Sequence, residues 1–171
     1  VLYLDTELTE EIVSSRILAM QTGLTIDEIE MASFLEDNEK RQKLTEAAKT
    51  FQGKKFSYAN ISSKNHREWI SIIRRWVIKE VGFNEDGNIN DCLVVLDYIK
   101  TMNLDDVGGF AEWQYLGQVM TDLHNLCIEY NIPILSFVQL NRDGINNDHQ
   151  GIIAGSDRIV ALCSSFSTIR M

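Results

Sequence analysis

Short, mostly apolar segments alternate with longer amphipathic segments along this chain. The short segments are rich in Val, Ile, Leu and aromatic residues and are bounded by polar residues, which is typical of strands. The predicted strands are Val1–Leu4, Lys55–Tyr58, Cys92–Leu96, Ile134–Val138 and Ile159–Cys163, with another beginning within Phe166–Met171. Cys92–Leu96 and Ile134–Val138 are apolar without a break, which predicts strands buried on both faces.

The segments between these strands have apolar residues at spacings of three and four, which predicts helices. The longest such segment is expected to start at a Ser63 cap and to end at Val81, with Trp69 and Ile73 on its buried face. Other helices are predicted at Thr9–Thr22, from the capping-box pattern Thr25–Glu28, at Asp37–Phe51 and at Glu112–Tyr130. Strands that alternate with helices indicate an α/β fold with a mostly parallel sheet flanked by helices.

Composition and charge exclude several classes of protein. The 171 residues fit one domain, and no apolar run is long enough to span a membrane. The net charge of −9 argues against general affinity for nucleic-acid phosphates, although it leaves room for a small local DNA site. Cys92, Cys127 and Cys163 are far apart and lack metal-ligand spacing, so we expect buried free thiols.

Polar motifs directly follow three of the predicted strands. Glu7 follows the first strand, Asp97 ends the central one, and Gln139 follows Ile134–Val138. Since the carboxyl ends of parallel strands lie on one edge of a sheet, these three side chains are expected to converge on one ligand. Glu7 would orient and deprotonate a water, Asp97 would hold a metal, and Gln139 would sense a phosphate.

Each of the three residues also has a purely structural interpretation. Asp97 could simply end a strand, Glu7 could be an ordinary acid near a helix N-terminus, and Gln139 could cap the end of a strand. The residues alone leave these alternatives open. The placement of all three after buried strands is the informative feature.

Four segments resemble motifs of the RecA-like ATPase domain of DnaB-type replicative helicases, in particular a phage-like member. Val1–Leu8 resembles the strand that ends in Ser-Leu-Glu-Met, and Leu93–Met102 resembles the Walker B segment Ile-Asp-Tyr-Leu-Gln-Leu-Met. Tyr130–Arg142, which contains Gln-Leu-Asn-Arg, resembles the family's sensor strand and is the most specific of the four. Gly155–Leu162 resembles a later strand motif of the family. The order of the segments also matches that of the family.

The resemblance implies a RecA-like fold and a role for each motif residue. Glu7 matches the catalytic glutamate, Asp97 the aspartate associated with Mg²⁺ and ATP, and Gln139 the sensor glutamine. The loop after the Gln-Leu-Asn-Arg strand faces DNA in the family, which makes candidates of Arg142, Gly144 and Asn146. The implied cofactors are ATP and Mg²⁺. The implied partners are single-stranded DNA, identical subunits in a homohexamer, and a primase or helicase loader, and no membrane is expected among them. The implied location is the cytoplasm of a bacterium or of a phage-infected host.

The chain also departs from the family pattern. It has no Gly-x-x-x-x-Gly-Lys-Ser/Thr loop, Gln118–Thr121 stand where Glu-Ile-Ser-Arg is usual, and the Asn103–Phe110 loop is acidic. We therefore expect a single partial RecA-like core, incomplete at both ends and inactive by itself. The phosphate-binding loop is expected before Val1 and the arginine-finger strands after Met171.

Two other classes of function stay open at this stage. A RecA- or RadA-type recombinase or a KaiC-like ATPase is the nearest enzyme alternative, and a RecA-fold module that binds a partner without hydrolysis is the other. The tetrad Gln139–Arg142 favours the helicase. A phosphate-binding loop in the reading frame upstream of Val1 would separate an enzyme from a non-hydrolysing module.

Overall fold

A four-stranded parallel sheet forms the centre of the molecule. The computed structural model describes residues 1–100, 112–139 and 157–167. The strands are β1 (Leu2–Asp5), β2 (Ser57–Asn60), β3 (Val94–Asp97) and β4 (Ile134–Ser136), in the spatial order β2-β1-β3-β4. All three strand pairings are parallel. The predicted α/β class and its parallel sheet are thus confirmed.

The helices lie between the strands in sequence, as the periodicity predicts. They are α1 (Glu10–Thr22), α2 (Ile26–Glu30), α3 (Asn38–Phe51), α4 (His66–Trp76), α5 (Glu112–Tyr130) and α6 (Asp157–Ala161), with a 3₁₀ turn at Ser33–Glu36 and a π turn at Val77–Val81. Thr9 caps α1, and Gly23 ends it with a φ of +72°, a conformation that glycine adopts without steric cost. Thr25 and Glu28 form the predicted capping box.

The core lies on one face of the sheet. Leu4 of β1 and Leu96 of β3 are completely buried, and they pack with Trp69 and Ile73 of α4 and with apolar residues of α5. Trp69 and Ile73 are four residues apart, so one stripe of α4 faces the sheet. The Trp69 indole N–H donates to the Lys64 carbonyl at 2.9 Å, which satisfies its polar atom inside the core.

The opposite face of the sheet is less buried. Tyr58, Tyr3, Val95 and Leu135 lie side by side across the four strands on this face. The first three are half-buried, and Leu135 is 49% exposed. The prediction that Cys92–Leu96 and Ile134–Val138 are buried on both faces is therefore wrong for the described residues. The burial of a strand depends on what packs on each face, which its own sequence does not encode.

Several predicted boundaries also differ from the structure. The strand predicted at Lys55–Tyr58 is Ser57–Asn60, because its pairing with β1 sets its register. Asn65, and not Ser63, caps α4, in a capping box with Glu68. The predicted strand Ile159–Cys163 is wrong, since Asp157–Ala161 is helical. A short apolar run suits either structure, and local sequence does not decide between them.

Within the described parts of the chain, no helix has the length and apolar character to cross a membrane. Cys92, Cys127 and Cys163 are free, as predicted, but each is partly exposed and not buried. Of the strand expected in Phe166–Met171, only residues 166–167 are described, and these two are not in a strand. The rest of that segment lies outside the described residues.

Candidate functional site

The ends of β1, β3 and β4 adjoin at the carboxyl edge of the sheet. Asp5 lies opposite Asp97 in the parallel register, and the pairing continues past the strands. The Thr6 N–H donates to the Asp97 carbonyl at 2.9 Å, and the Ile99 N–H donates to the Phe137 carbonyl at 2.9 Å. The segments that contain Glu7, Asp97 and Gln139 are therefore neighbours, as the sequence predicts.

Glu7 lies in the turn between β1 and α1, and two donors hold its carboxylate. Oε1 accepts a hydrogen bond from the Tyr98 hydroxyl at 2.9 Å and one from Lys100 Nζ at 3.1 Å. Lys100, and then Tyr98, lower the pKa of Glu7 below its usual value, so the carboxylate is ionised at neutral pH. Its side chain is about half exposed. The carboxylate is therefore ionised and able to accept a proton, and its lowered pKa makes it a weaker base than an ordinary glutamate.

Asp5 fixes the backbone that carries Glu7. Its side chain is buried, and Oδ1 accepts hydrogen bonds from the N–H groups of Glu7 at 2.7 Å and Leu8 at 2.6 Å. The Leu8 carbonyl in turn accepts from the Tyr58 hydroxyl at 2.7 Å and from the Asn60 amide at 2.5 Å. The turn is thus tied to its own strand and to β2, and Glu7 projects from a fixed backbone.

Replacing Asp5 by Ala is expected to lower the free energy of unfolding by about 1–3 kcal/mol, because two backbone N–H groups of the turn lose their buried acceptor. Asp5→Asn keeps an acceptor oxygen and should be milder. Denaturant unfolding measures the effect. Equal stability in Asp5→Ala and wild type would exclude this role.

Asp97 ends β3 and has one carboxylate oxygen engaged. Oδ2 accepts a hydrogen bond from the Tyr3 hydroxyl at 2.5 Å. Oδ1 makes no hydrogen bond within residues 1–100, 112–139 and 157–167. The peptide bond between Asp97 and Tyr98 is cis. The Thr6 hydroxyl donates to the Asp97 carbonyl at 3.2 Å and accepts from the Tyr98 N–H at 3.3 Å, which joins the two loops at this point.

The residues present fit a magnesium ion that also binds phosphate oxygens. Mg²⁺ in nucleotide sites takes one or two carboxylates, and water and phosphate supply the other ligands. Asp97 offers one carboxylate with a free oxygen in the described structure. Among the described residues, no cluster of three or more His, Cys, Asp or Glu side chains forms a metal cage.

Gln139 lies on the same edge as Glu7 and Asp97, two residues after Phe137. It is exposed, and its side chain makes no hydrogen bond within the described residues. Its role as a sensor stays a prediction. The DNA-binding candidates Arg142, Gly144 and Asn146, and the loops Asn103–Phe110 and Asp143–Gly151, lie outside the described residues.

Sequence reasoning missed four residues that shape this site. The predicted strand ends at Leu4, one residue before Asp5, and no role was predicted for Asp5, Tyr3, Tyr98 or Lys100. An Asp followed by Thr-Glu-Leu is a recognisable signal, because Asp side chains often accept from N–H groups two and three residues on. No local signal identifies Lys100 or Tyr3, since each contacts a residue more than 90 positions away.

Comparison with known proteins shows the family and the fold of this chain. The model of the DnaB-like helicase C terminal domain matches residues 1–153. A solved structure of an ATPase domain superposes on 95% of this chain with a TM-score of 0.77 and 15% sequence identity. A solved DnaB-like replicative helicase, described with its interactions with primase, superposes on 95% with a TM-score of 0.72 and 16% identity. No curated protein matches.

The chain spans 56% of the first of these solved chains and 39% of the second. At these identities the two structures show a shared fold. The matched family model covers most of the chain, including the four described strands and the residues Glu7 and Asp97 at the sheet edge. This chain therefore belongs to the family of DnaB-like helicase C-terminal domains.

Proposed function

We propose that this chain is part of the ATPase core of a replicative DNA helicase, which couples ATP hydrolysis to movement along single-stranded DNA. The observation that supports this most is the pair Glu7 and Asp97. Their loops are joined by hydrogen bonds at the ends of parallel strands, in a chain of the DnaB-like family. Two carboxylates in this arrangement suit phosphoryl transfer to water.

Each carboxylate has a distinct task in this proposal. When bound, Mg²⁺ neutralises charge on the ATP phosphates. Asp97 would help to hold the metal, while Glu7 would orient the attacking water and take its proton. Gln139 relays the state of the phosphate to the next loop, in which Arg142, Gly144 and Asn146 contact DNA.

The remaining parts of the machinery belong to a longer polypeptide in this proposal. A phosphate-binding loop precedes Val1, and strands that bear an arginine finger follow Met171. The full-length protein assembles as a homohexamer, with a primase or a helicase loader as partner, and works in the cytoplasm of a bacterium or of a phage-infected host. The solved relative described with primase supports a partner of this kind.

The test is an ATPase and strand-separation assay with the full-length protein. We expect ATP hydrolysis that needs Mg²⁺, rises with single-stranded DNA and drives separation of a forked duplex. Glu7→Gln serves as the inactive control. ATP binding without hydrolysis would favour a non-hydrolysing module, and hydrolysis that never separates strands would favour another RecA-like ATPase.

The contact between Lys100 and Glu7 predicts a pH effect. Lys100 lowers the pKa of Glu7, so Lys100→Gln should raise it. Because Glu7 acts as a base only when ionised, the loss of turnover on acidification should then begin at a higher pH than in wild type. Lys100→Arg keeps the positive charge and should retain the wild-type profile. An acid limb of kcat that stays in place, or moves to lower pH, in Lys100→Gln would refute this link.

A further inference from the structure

The Tyr3 hydroxyl on β1 contacts the carboxylate of Asp97 on the adjacent strand β3. Tyr3 lies opposite Val95 in the β1–β3 register, so its ring must reach diagonally to Asp97, two residues further along β3. Long aromatic side chains can span this diagonal on one face of a sheet. The hydroxyl donates to Asp97 Oδ2 at 2.5 Å, a short bond of the kind that charged acceptors form.

Two other aromatic rings lie next to the Tyr3 ring. Tyr58 stacks on it with ring centroids 6.2 Å apart and an interplanar angle of 16°, and Phe56 lies on it with centroids 6.3 Å apart. Both neighbours come from β2 or the residue before it. The Tyr3 ring thus has aromatic neighbours from the β2 side of the sheet, while its hydroxyl contacts Asp97.

The contact with Tyr3 leaves the two carboxylate oxygens of Asp97 in different situations. Oδ2 is occupied by Tyr3, whereas Oδ1 has no partner in the described structure. A carboxylate that binds a metal loses rotational freedom, and a neighbour that already holds one oxygen removes that cost before the metal arrives. Such outer partners typically affect metal affinity by about 10–100-fold.

We propose that Tyr3 is a positioning residue, whose hydroxyl holds Asp97 Oδ2 so that Oδ1 is presented to the Mg²⁺ of the bound nucleotide. This inference rests on the proposed function, because it requires Asp97 to bind the metal. It goes beyond that function in assigning a role to Tyr3, an aromatic residue of the sheet to which the resemblance gives no role. Tyr3 touches neither nucleotide nor water in this proposal and acts through Asp97.

Tyr58 provides a matched control. It belongs to the same aromatic stack and the same face of the sheet, but its hydroxyl donates to the Leu8 carbonyl and not to Asp97. That carbonyl keeps the Asn60 amide as a second donor when the Tyr58 hydroxyl is removed. Tyr3→Phe and Tyr58→Phe thus delete the same atom from neighbouring rings, and only the first deletes a contact with Asp97.

The test measures the affinity of the full-length protein for a fluorescent ADP analogue, with Mg²⁺ and with EDTA. The ratio of the two affinities is the gain that the metal provides, and it is measured without turnover. Tyr3→Phe should reduce this gain by about tenfold or more, with unchanged affinity in EDTA. Tyr58→Phe should keep the wild-type gain. Thermal unfolding of both variants checks that the fold is intact.

The outcomes separate this inference from the proposed function. If Asp97→Asn loses the metal-dependent gain and Tyr3→Phe keeps it, the role of Tyr3 is refuted and the proposed function stands. An equal loss in Tyr3→Phe and Tyr58→Phe would show an effect of the aromatic stack and also refute the inference. If wild type shows no metal-dependent gain, both the inference and the proposed function are overturned.

Discussion

Replacing Glu7 by Gln in the full-length protein is expected to lower kcat by about 10²–10⁴-fold and to leave the affinity for ATP almost unchanged. Gln has the same size and can still accept hydrogen bonds from Tyr98 and Lys100, so the local structure should persist. It cannot take a proton from water. The loss therefore falls on the transition state and appears in kcat, with little change in KM.

The structure weakens the alternative in which Glu7 is an ordinary acid at a helix N-terminus. α1 begins at Glu10, Thr9 is its N-cap, and Glu10 and Glu11 already occupy its first turn. Glu7 lies before the cap, where it is held by residues of the loop after β3. The helix role would predict a cost of about 0.3–1 kcal/mol in stability and normal turnover.

Glu10→Gln is the matched control for this prediction. It makes the same chemical change at an exposed acid three residues away, inside the first turn of α1. We expect normal turnover and a slightly lower melting temperature for Glu10→Gln. The catalytic assignment would be abandoned if Glu7→Gln gave that same result. ATP affinity, turnover and melting temperature, measured on both variants, decide between the two roles.

The sequence predicts the parts of this fold that rest on local pattern. Alternating apolar and amphipathic segments identify β1, β3, β4 and the helices between them, and the capping residues Thr9 and Thr25 are seen directly in the sequence. The order of the strands is enough to bring Glu7, Asp97 and Gln139 to one edge, because parallel strands leave no other arrangement of their carboxyl ends. This much needs no knowledge of tertiary contacts.

Contacts between distant residues account for what the sequence does not predict. The apolar run at Ile159–Cys163 is compatible with a strand, yet Asp157–Ala161 is a helix that packs against α5. Leu135 is exposed because its face of the sheet is less covered than the face of Leu96. In each case the environment comes from outside the segment's own local pattern.

The electrostatic features of the site depend on such contacts as well. The resemblance to the family identifies Glu7 and Asp97 as functional, but not the groups that set their properties. Lys100 and Tyr98 lower the pKa of Glu7, and Tyr3 occupies one oxygen of Asp97. The chain thus gives its two carboxylates different partners, a cation and a phenol for one and a single phenol for the other. Different partners suit different tasks, and this leads to a second prediction.

Replacing Asp97 by Asn is expected to weaken the binding of Mg·ATP as well as turnover, in contrast to Glu7→Gln. Asn keeps the size of the side chain and an oxygen that accepts from Tyr3, but it lacks the negative charge that Mg²⁺ prefers. Metal stabilisation of transition-state charge is worth several kcal/mol. At about 1.4 kcal/mol per tenfold, we expect kcat/KM to fall on the order of 10²–10³-fold, with part of the loss in KM.

The dependence on Mg²⁺ distinguishes the two carboxylates most sharply. Raising the Mg²⁺ concentration should partly restore nucleotide binding in Asp97→Asn, because a weakened metal site still fills at high concentration. It should not restore turnover in Glu7→Gln, whose metal site is intact. Asp91→Asn, the same change at an exposed residue just before β3, is the control and should behave as wild type. If Asp97→Asn bound nucleotide with the wild-type dependence on Mg²⁺, Asp97 would be an acid that only ends a strand, and the metal site would have to be sought elsewhere.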